Sequence, residues 1–458
     1  MALKVYNTLA RKKEELKPLK GDKINMFVCG PTVYNYIHIG NAKTFTQFDM
    51  IAKYIRYKGF KLHYIMNITD VDDKIIKAAK EAGISESEHA VKFEAEFHKD
   101  MKSLKNDAVN DYPRATAHMD AIIKQVQDLL DKGFAYETSD GVYFEIDKFS
   151  EYGKLSKQPL DQIKEGARVD VNEDKKNPAD FVLWKKHKEG EPYWDSPWGK
   201  GRPGWHIEDT AITETFFGPQ YDLHGGAMDL IFPHHECEIA QMEAASGKKP
   251  LVKYWLHTAF LNMDKEKMSK SLGNFFTLRE VLKKHDAMAL KYFFLSNHYR
   301  TPVEFSFESL SASRNALERI NNFVHGLLVS EGKNRHGNIS DYCRDLINNF
   351  DSAMDDDFDT PKALAHVFDF IREINKLSIS KDEAADVVKV FKKINSVFGF
   401  ISFRVDEIPD AVKNLAEKRL SARKNKDWAE SDKLRDEIRA LGFEVSDTPD
   451  GKYVLKKK

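Results

Sequence analysis

The hydrophobic pattern changes period twice within residues 24–69, and few folds allow that. Ile24, Met26 and Val28 recur every second residue until Gly30-Pro31-Thr32 breaks the run. Phe45, Phe48, Ile51 and Ile55 then recur at helical spacing as far as Gly59. Leu62, Tyr64, Met66 and Ile68 alternate again over 61–69, and a second helix is expected near Val71. Strand, helix, strand, helix implies parallel strands, because parallel neighbours need a crossover rather than a hairpin. Ligands of such sheets sit beyond the carboxyl ends of the strands. Cys29, His38 and Thr69 all fall at or just past those ends. The expected fold class is α/β, built on a parallel sheet.

The rest of the chain looks different from this sheet region. After Tyr112-Pro113 comes a helical stretch near 117–132, then a loop-rich run with tryptophans from Asn177 to Trp205. This reads as an insertion between two halves of the sheet domain, the second half ending near Trp255-Leu256-His257-Thr258. Beyond Phe307 the pattern is mostly helical. Thr360-Pro361 reads as a cap followed by a first-turn proline, ahead of a buried stripe of Leu364, Val367, Phe368 and Ile371. The expected boundaries are 1–120 and 206–260 for the sheet domain and 121–205 for the insertion. A connecting region at 261–309, a helical bundle at 310–404 and a small mixed unit at 405–458 follow.

Composition excludes several classes. The 458 residues are 41% hydrophobic and 31% charged, with a net charge of −1. The molecule is no polycation, so any nucleic-acid contact must use local basic faces. Three cysteines (Cys29, Cys237 and Cys343) do not suggest a disulfide framework. The start, Met1-Ala2-Leu3-Lys4-Val5-Tyr6, has no apolar leader core, and no apolar stretch reaches membrane-spanning length. A cytoplasmic protein with no membrane partner is expected.

Two strings carry chemistry. His38-Ile39-Gly40-Asn41 sits where the first strand turns into the first helix, at a positive helix end that welcomes phosphate. Far downstream, Lys267-Met268-Ser269-Lys270-Ser271 puts two ammonium groups on a serine-flanked loop. Each alone reads as an ordinary helix cap or a solvated basic loop. Together, on a parallel sheet, they resemble the paired signatures of class I aminoacyl-tRNA synthetases, whose sheet domain is Rossmann-type. His38, Asn41, Lys267 and Lys270 are then the catalytic candidates. Lys270 would face the charge growing on leaving pyrophosphate. Asp229, in Gly225-Gly226-Ala227-Met228-Asp229, would accept from a ribose hydroxyl or a substrate ammonium. The two glycines offer close backbone approach. ATP would be held by His38, Asn41, Asp229 and Lys270, with Mg²⁺ accompanying it.

A third string, Pro233-His234-His235-Glu236-Cys237-Glu238, reads as the start of a helix with Pro233 at its first position. His234 and Glu238 are four apart and share a face, a pairing acceptable to zinc. Cys29 would be a distant third ligand. Here the resemblance narrows to the cysteinyl-tRNA synthetases. It rests on Val28-Cys29-Gly30-Pro31-Thr32-Val33-Tyr34 and Asn67-Ile68-Thr69-Asp70-Val71-Asp72-Asp73-Lys74. Arg202-Pro203-Gly204-Trp205-His206-Ile207-Glu208 and Phe232-Pro233-His234-His235-Glu236 carry it further. The resemblance implies one zinc ion per subunit that binds the substrate thiolate, with Cys29, His234 and Glu238 as ligands. Thr69, Trp205, His224 and Asp229 would line the amino-acid and adenylate pocket. A metal makes sense here, since a shaped pocket separates thiol from hydroxyl by only ~1–3 kcal/mol, whereas about 10⁴-fold discrimination needs roughly 5.5 kcal/mol. The family pattern has a further cysteine ligand where this chain has Asp209. Either Asp209 ligates through oxygen, or Cys237 reaches the metal, or the site is weak and Asp209 is solvated.

At the other end, residues 411–426 hold Lys413, Lys418, Arg419, Arg423, Lys424 and Lys426 against Glu417 alone. That is an electrostatic footprint for phosphate. Asp427-Trp428-Ala429-Glu430 resembles a capping box. Trp428, Ser431, Leu434, Ile438 and Leu441 have the spacing of a buried stripe. The resemblance assigns Arg423, Trp428, Asp432 and Asp447 to the anticodon. It also makes 121–205 the acceptor-end connective domain, 261–309 the signature-loop and stem-contact region, and 405–458 the anticodon-binding domain. The expected function is a monomeric cysteine–tRNA ligase acting on ATP, L-cysteine and tRNA(Cys). Two competitors are a ligase joining cysteine to a small amine, and an inactive tRNA-binding paralogue. Residues 405–458 argue against the first, and the intact signatures against the second.

Overall fold

The computed structural model describes residues 2–158, 174–263, 266–267, 276–333, 335–405, 408–447 and 453–457. A hairpin, β1 (Lys4–Asn7) and β2 (Lys12–Glu15), precedes β3 (Lys23–Val28). Helix α1 (Ile39–Tyr57) leads to β4 (Lys61–Met66). Helix α2 (Asp73–Ala82) starts after Val71, because the Asp72 carboxylate accepts from Lys74 N at 2.9 Å and caps it. Helices α3 (Glu86–Ser103) and α4 (Met119–Asp131) follow. Strands β5 (Ala135–Glu137), β6 (Gly141–Phe144), β7 (Phe181–Lys186) and β8 (Gly201–Pro203) then form an antiparallel sheet in sequential order.

The chain next builds α5 (Ile207–Phe217), β9 (Tyr221–Ala227), α6 (Glu236–Ser246) and β10 (Val252–Thr258). The main sheet has the order β10-β9-β3-β4, and every pair in it is parallel. Its inner strands are apolar on both faces, with Met26, Phe27, Val28 and Leu223 all buried, as a covered parallel sheet requires. From β3 the chain steps to β4 on one side, while β9 pairs on the other. The crossovers therefore diverge between β3 and β9, and a crevice opens at their carboxyl ends.

Strands β11 (Leu261–Met263), β12 (Glu266–Lys267) and β13 (Val303–Glu304) make a small sheet, with α7 (Leu278–Leu282) and α8 (Ala287–Leu295) between the last two. Helices α9 (Phe307–Leu328), α10 (Ile339–Met354), α11 (Thr360–Ile374) and α12 (Lys381–Phe398) follow. The cap of α11 is Asp359 rather than Thr360: its Oδ1 accepts from Lys362 N at 3.0 Å, and Thr360 is already helical.

The chain forms two compact units. One comprises Met1–Leu317, Asp345–Asp369 and Lys393–Phe400 and contains the main sheet. The other comprises Glu318–Arg344, Phe370–Lys392 and Ile401–Lys458. In the second, α13 (Asp410–Lys424) and α14 (Trp428–Ala440) enclose a small core with the hairpin β14 (Phe443–Asp447) and β15 (Tyr453–Lys457). Val412, Ala416, Ile438, Phe443 and Leu455 fill that core.

Candidate functional site

Each strand of the main sheet delivers a side chain to the crevice. Cys29 follows β3, Asn67 and Thr69 follow β4, His224 lies in β9 and His257 in β10. Helix α5 adds Glu208 and Asp209, α6 adds Glu238, and the turn between β9 and α6 adds His234 and His235. Cys29, Asp209, His224, His234, His235 and Glu238 are all buried.

Two overlapping donor sets result. Cys29, Asp209, His234 and Glu238 bring one ligand atom each to within 4.8 Å of one another. So do Cys29, His224, His235 and Glu238. His234 Nε2 lies 3.0 Å from Asp209 Oδ2 and 3.1 Å from Glu238 Oε1. Cys29 Sγ lies 3.1 Å from His235 Nε2 and 3.3 Å from His224 Nε2. Cys29, Asp209, His234 and Glu238, the ligands expected from the sequence, are all gathered by the fold. The ring of His224, expected in the amino-acid pocket, touches Cys29. His235 was not singled out, though it stood beside His234 in the same string.

Other expectations at this site are corrected. Regular helix begins at Glu236, after an irregular turn spanning Ile231–His235, so Pro233 is not its first residue. The i, i+4 pairing of His234 with Glu238 holds across that junction. Cys237 belongs to neither donor set: its sulfur faces Tyr152 Oη at 3.2 Å, and burial pushes its thiol up. Asp209 is not solvated. It is buried, and its Oδ1 accepts from Asn67 Nδ2 at 2.6 Å. The room above Gly225 and Gly226 is already taken. A Cβ there would meet Phe48 at 2.3 Å and His235 at 2.7 Å.

Burial and crowding disfavour the charged forms of the cluster's acidic groups. Burial first, and Asp209 next, hold the Glu238 carboxyl well above its usual range. Burial, and then Glu238, raise the Cys29 thiol. Glu208 is raised by burial and then by Asp209, although Thr69 Oγ1 donates to it at 2.5 Å. Among the described residues nothing donates a hydrogen bond to the buried Glu238 Oε2, although His224 Nδ1 lies 3.5 Å from it. One thiol, imidazoles and carboxylates around an orphaned oxygen are a donor set that fits a divalent metal.

The first signature is also ordered. His38 caps α1, its Nδ1 accepting from Asn41 N at 3.2 Å. Ile39 N donates to Phe276 O and Leu278 N to Ile37 O, at 3.1 and 2.9 Å. The start of α1 is thereby tied to the chain immediately after the second signature. Lys270 lies outside the described residues. The backbone of Lys267 pairs with Asn262 in β12. Trp205 is 42% exposed and stacks on the His234 ring at 4.3 Å, while Asp229 is exposed on the turn after β9.

In the C-terminal unit, Asp427 Oδ1 accepts from Glu430 N at 3.1 Å and caps α14, but the return bond that would complete the expected capping box is not found among the described residues. The expected stripe is buried only in its middle, at Ser431, Leu434 and Ile438. Trp428 and Leu441 are 56% and 53% exposed. The Arg423 guanidinium lies over the Trp428 ring at 5.4 Å and pairs with Asp447 at 3.3 Å. Arg419, a buried member of the basic segment, binds Asp447 through two bonds of 2.7 and 3.1 Å. Asp432 pairs with Arg435 at 3.2 Å.

Comparison with known proteins agrees with this architecture. Residues 15–315 match the class I (C) tRNA synthetase catalytic domain, 349–402 the DALR domain, and 405–454 the cysteinyl-tRNA ligase anticodon-binding domain. A cysteine–tRNA ligase of Thermoplasma volcanium is 47% identical over 448 residues, covering 97% of this chain and 98% of the relative. One from Thermococcus gammatolerans is 45% identical over 472 residues, covering 98% of each. Among solved structures, Mycobacterium tuberculosis methionyl-tRNA synthetase with methionyl-adenylate aligns at a TM-score of 0.60 and 15% identity, over 82% of this chain and 89% of that one. An Agrobacterium radiobacter LeuRS in a ternary complex with tRNA aligns at 0.61 and 11% identity, over 84% and 85%. Those two likenesses establish the fold alone. With its full-length relatives and its sheet domain in agreement, the chain belongs to the cysteine–tRNA ligase family of class I aminoacyl-tRNA synthetases.

Proposed function

We propose that the chain activates L-cysteine with ATP and transfers it to the 3′ end of tRNA(Cys). The observation that carries this reading is the thiol, imidazole and carboxylate cluster at the switch point of the sheet, in the same compact unit as the His38-capped start of α1. The cysteine carboxylate attacks the α-phosphorus of ATP, giving cysteinyl-adenylate and pyrophosphate. A hydroxyl of the tRNA terminal ribose then attacks the adenylate carbonyl, and AMP leaves. No side chain is needed as a covalent nucleophile; positioning and donors that follow the charge are enough.

His38 is suited to the first step. Its Nδ1 accepts the Asn41 N–H, which puts the ring proton on Nε2, the atom that would donate to a phosphate oxygen. Asn41, Lys267 and Lys270 complete the catalytic set, with Asp229 on the ribose or the ammonium and Mg²⁺ accompanying ATP. Thr69, Trp205 and His224 line the amino-acid pocket. Zinc, one per subunit, would be held by Cys29, Asp209, His234 and Glu238, and when bound it supplies a Lewis acid that favours a thiolate over an alcohol. Arg423, Trp428, Asp432 and Asp447 read the anticodon, with the exposed Trp428 ring as a stacking surface. The enzyme acts as a cytoplasmic monomer.

Cysteine-dependent pyrophosphate–ATP exchange, run beside charging of tRNA(Cys), tests the reading. Both activities are expected. Exchange without charging would point instead to a small-amine ligase, and charging-competent tRNA bound without exchange to an inactive paralogue.

A further inference from the structure

The metal centre holds more donors than one ion in the assigned set requires, and their arrangement is not random. Three imidazoles turn Nε2 inward. His234 Nε2 faces Asp209 and Glu238, and His224 and His235 Nε2 both face Cys29 Sγ. Each also engages its Nδ1, and that of His224 lies 3.5 Å from Glu238 Oε2 as well. His234 Nδ1 meets His206 Nδ1 at 2.7 Å, His224 Nδ1 meets Tyr221 Oη at 2.6 Å, and His235 Nδ1 meets His257 Nε2 at 2.8 Å. His257 is held in turn by Thr8 Oγ1 at 2.8 Å. A hydrogen-bond partner on one ring nitrogen, with the other turned to the metal, is the habit of metal-binding histidines. By that standard His224 and His235 are as well prepared as His234.

Chemistry distinguishes the two sets. With Asp209 in place, the set through His234 offers one sulfur, one nitrogen and two carboxylates. The set through His224 and His235 offers one sulfur, two nitrogens and one carboxylate, which suits zinc at least as well. Cys29 and Glu238 belong to both. The geometry points to a second, alternative seat for the zinc at Cys29, His224, His235 and Glu238, sharing two ligands with the first and holding the same single ion. This rests on the proposed zinc centre and adds to it that Asp209 is dispensable for retaining the metal.

The test uses the full-length chain as wild type, Asp209→Ala, His235→Gln, the double variant, and Cys29→Ser, which removes a ligand from both seats. Each is loaded with Zn²⁺ or Co²⁺ and freed of loose ion. Metal per chain, affinity by chelator competition, and the thiolate-to-cobalt absorption band are then measured, with circular dichroism confirming the fold. One ion on wild type and on each of Asp209→Ala and His235→Gln is expected, with the band retained. The double variant is expected to bind more weakly by over about 100-fold, beyond the ~10–100-fold that loss of an outer partner costs. If Asp209→Ala empties the site while His235→Gln binds like wild type, the second seat does not exist. Two ions on wild type would equally overturn the single-ion assignment. Absence of zinc from wild type would overturn the underlying metal reading and the inference with it. Asp209→Asn, which keeps a side-chain oxygen for Asn67, repeats the comparison should Asp209→Ala fail to fold.

Discussion

Gly30 illustrates how tightly the residues of the crevice are fitted. A Cβ there would come within 1.7 Å of the Asn67 carbonyl oxygen, and Gly30 N already donates to Asn67 Oδ1 at 2.6 Å. Gly30→Ala is therefore expected to cost about 1–3 kcal/mol, measured as a lower urea midpoint. His38 joins two roles that a pair of substitutions can separate. Alanine there removes the cap of α1, worth about 1 kcal/mol, together with the phosphate donor. His38→Asn restores a capping oxygen but not the Nε2–H. It is expected to melt close to wild type while cysteine-dependent exchange stays down by about 10²–10³-fold. Recovery of exchange in His38→Asn would reduce His38 to a cap.

Helix α6 works on two faces. Glu238 turns toward Cys29, and Glu236 accepts from Leu155 N and Ser156 N at 3.2 and 2.8 Å, anchoring the segment after β6. Glu236→Gln is expected to lose about 1–3 kcal/mol of stability, since a buried donor is left poorly matched. Helix α1 carries a different liability. Lys43 is buried, donates to Ala259 O at 2.7 Å and Gln47 Oε1 at 3.1 Å, and burial lowers its pKa to about 7. The unfolded chain, with an ordinary lysine, holds that proton to higher pH, so this group makes folding more favourable as pH rises from about 7 toward 10. Stability measured at pH 6.5, 7.5 and 8.5 should climb more in wild type than in Lys43→Met, by at most about 1.4 kcal/mol per pH unit. Equal slopes would show that Lys43 stays charged. Elements with a clean period were readable in advance: β3, α1 and β4 follow from alternation and 3.6-residue spacing, and His234 with Glu238 from i, i+4. His235 was not readable, because on a regular helix it would point about 100° away from His234, and only the irregular turn at Ile231–His235 brings both rings to the cluster. Strand β9 was equally opaque, being buried along most of both faces and so without alternation. Trp428 fits a helical stripe by spacing, yet it is the first residue of α14 and lies exposed over Arg423.

At the scale of the molecule, the match to the synthetase catalytic domain and the match to the anticodon-binding domain fall in different compact units, and a division of labour between them can be measured. Trp428→Ala is expected to lower kcat/KM for tRNA(Cys) by roughly 5–150-fold, the worth of one lost base stack at ~1–3 kcal/mol, and to leave cysteine-dependent exchange unchanged. A parallel fall in exchange would mean that Trp428 supports the fold rather than the RNA. The proposed function depends on the buried thiol and imidazole cluster selecting a sulfur substrate. Pyrophosphate–ATP exchange by the zinc-loaded full-length chain, with cysteine and serine side by side, examines that dependence. Cysteine should support exchange, and serine should trail it by about 10³–10⁴-fold in kcat/KM, more than shape alone can give. Equal exchange with the two amino acids, or none with cysteine, would contradict the account.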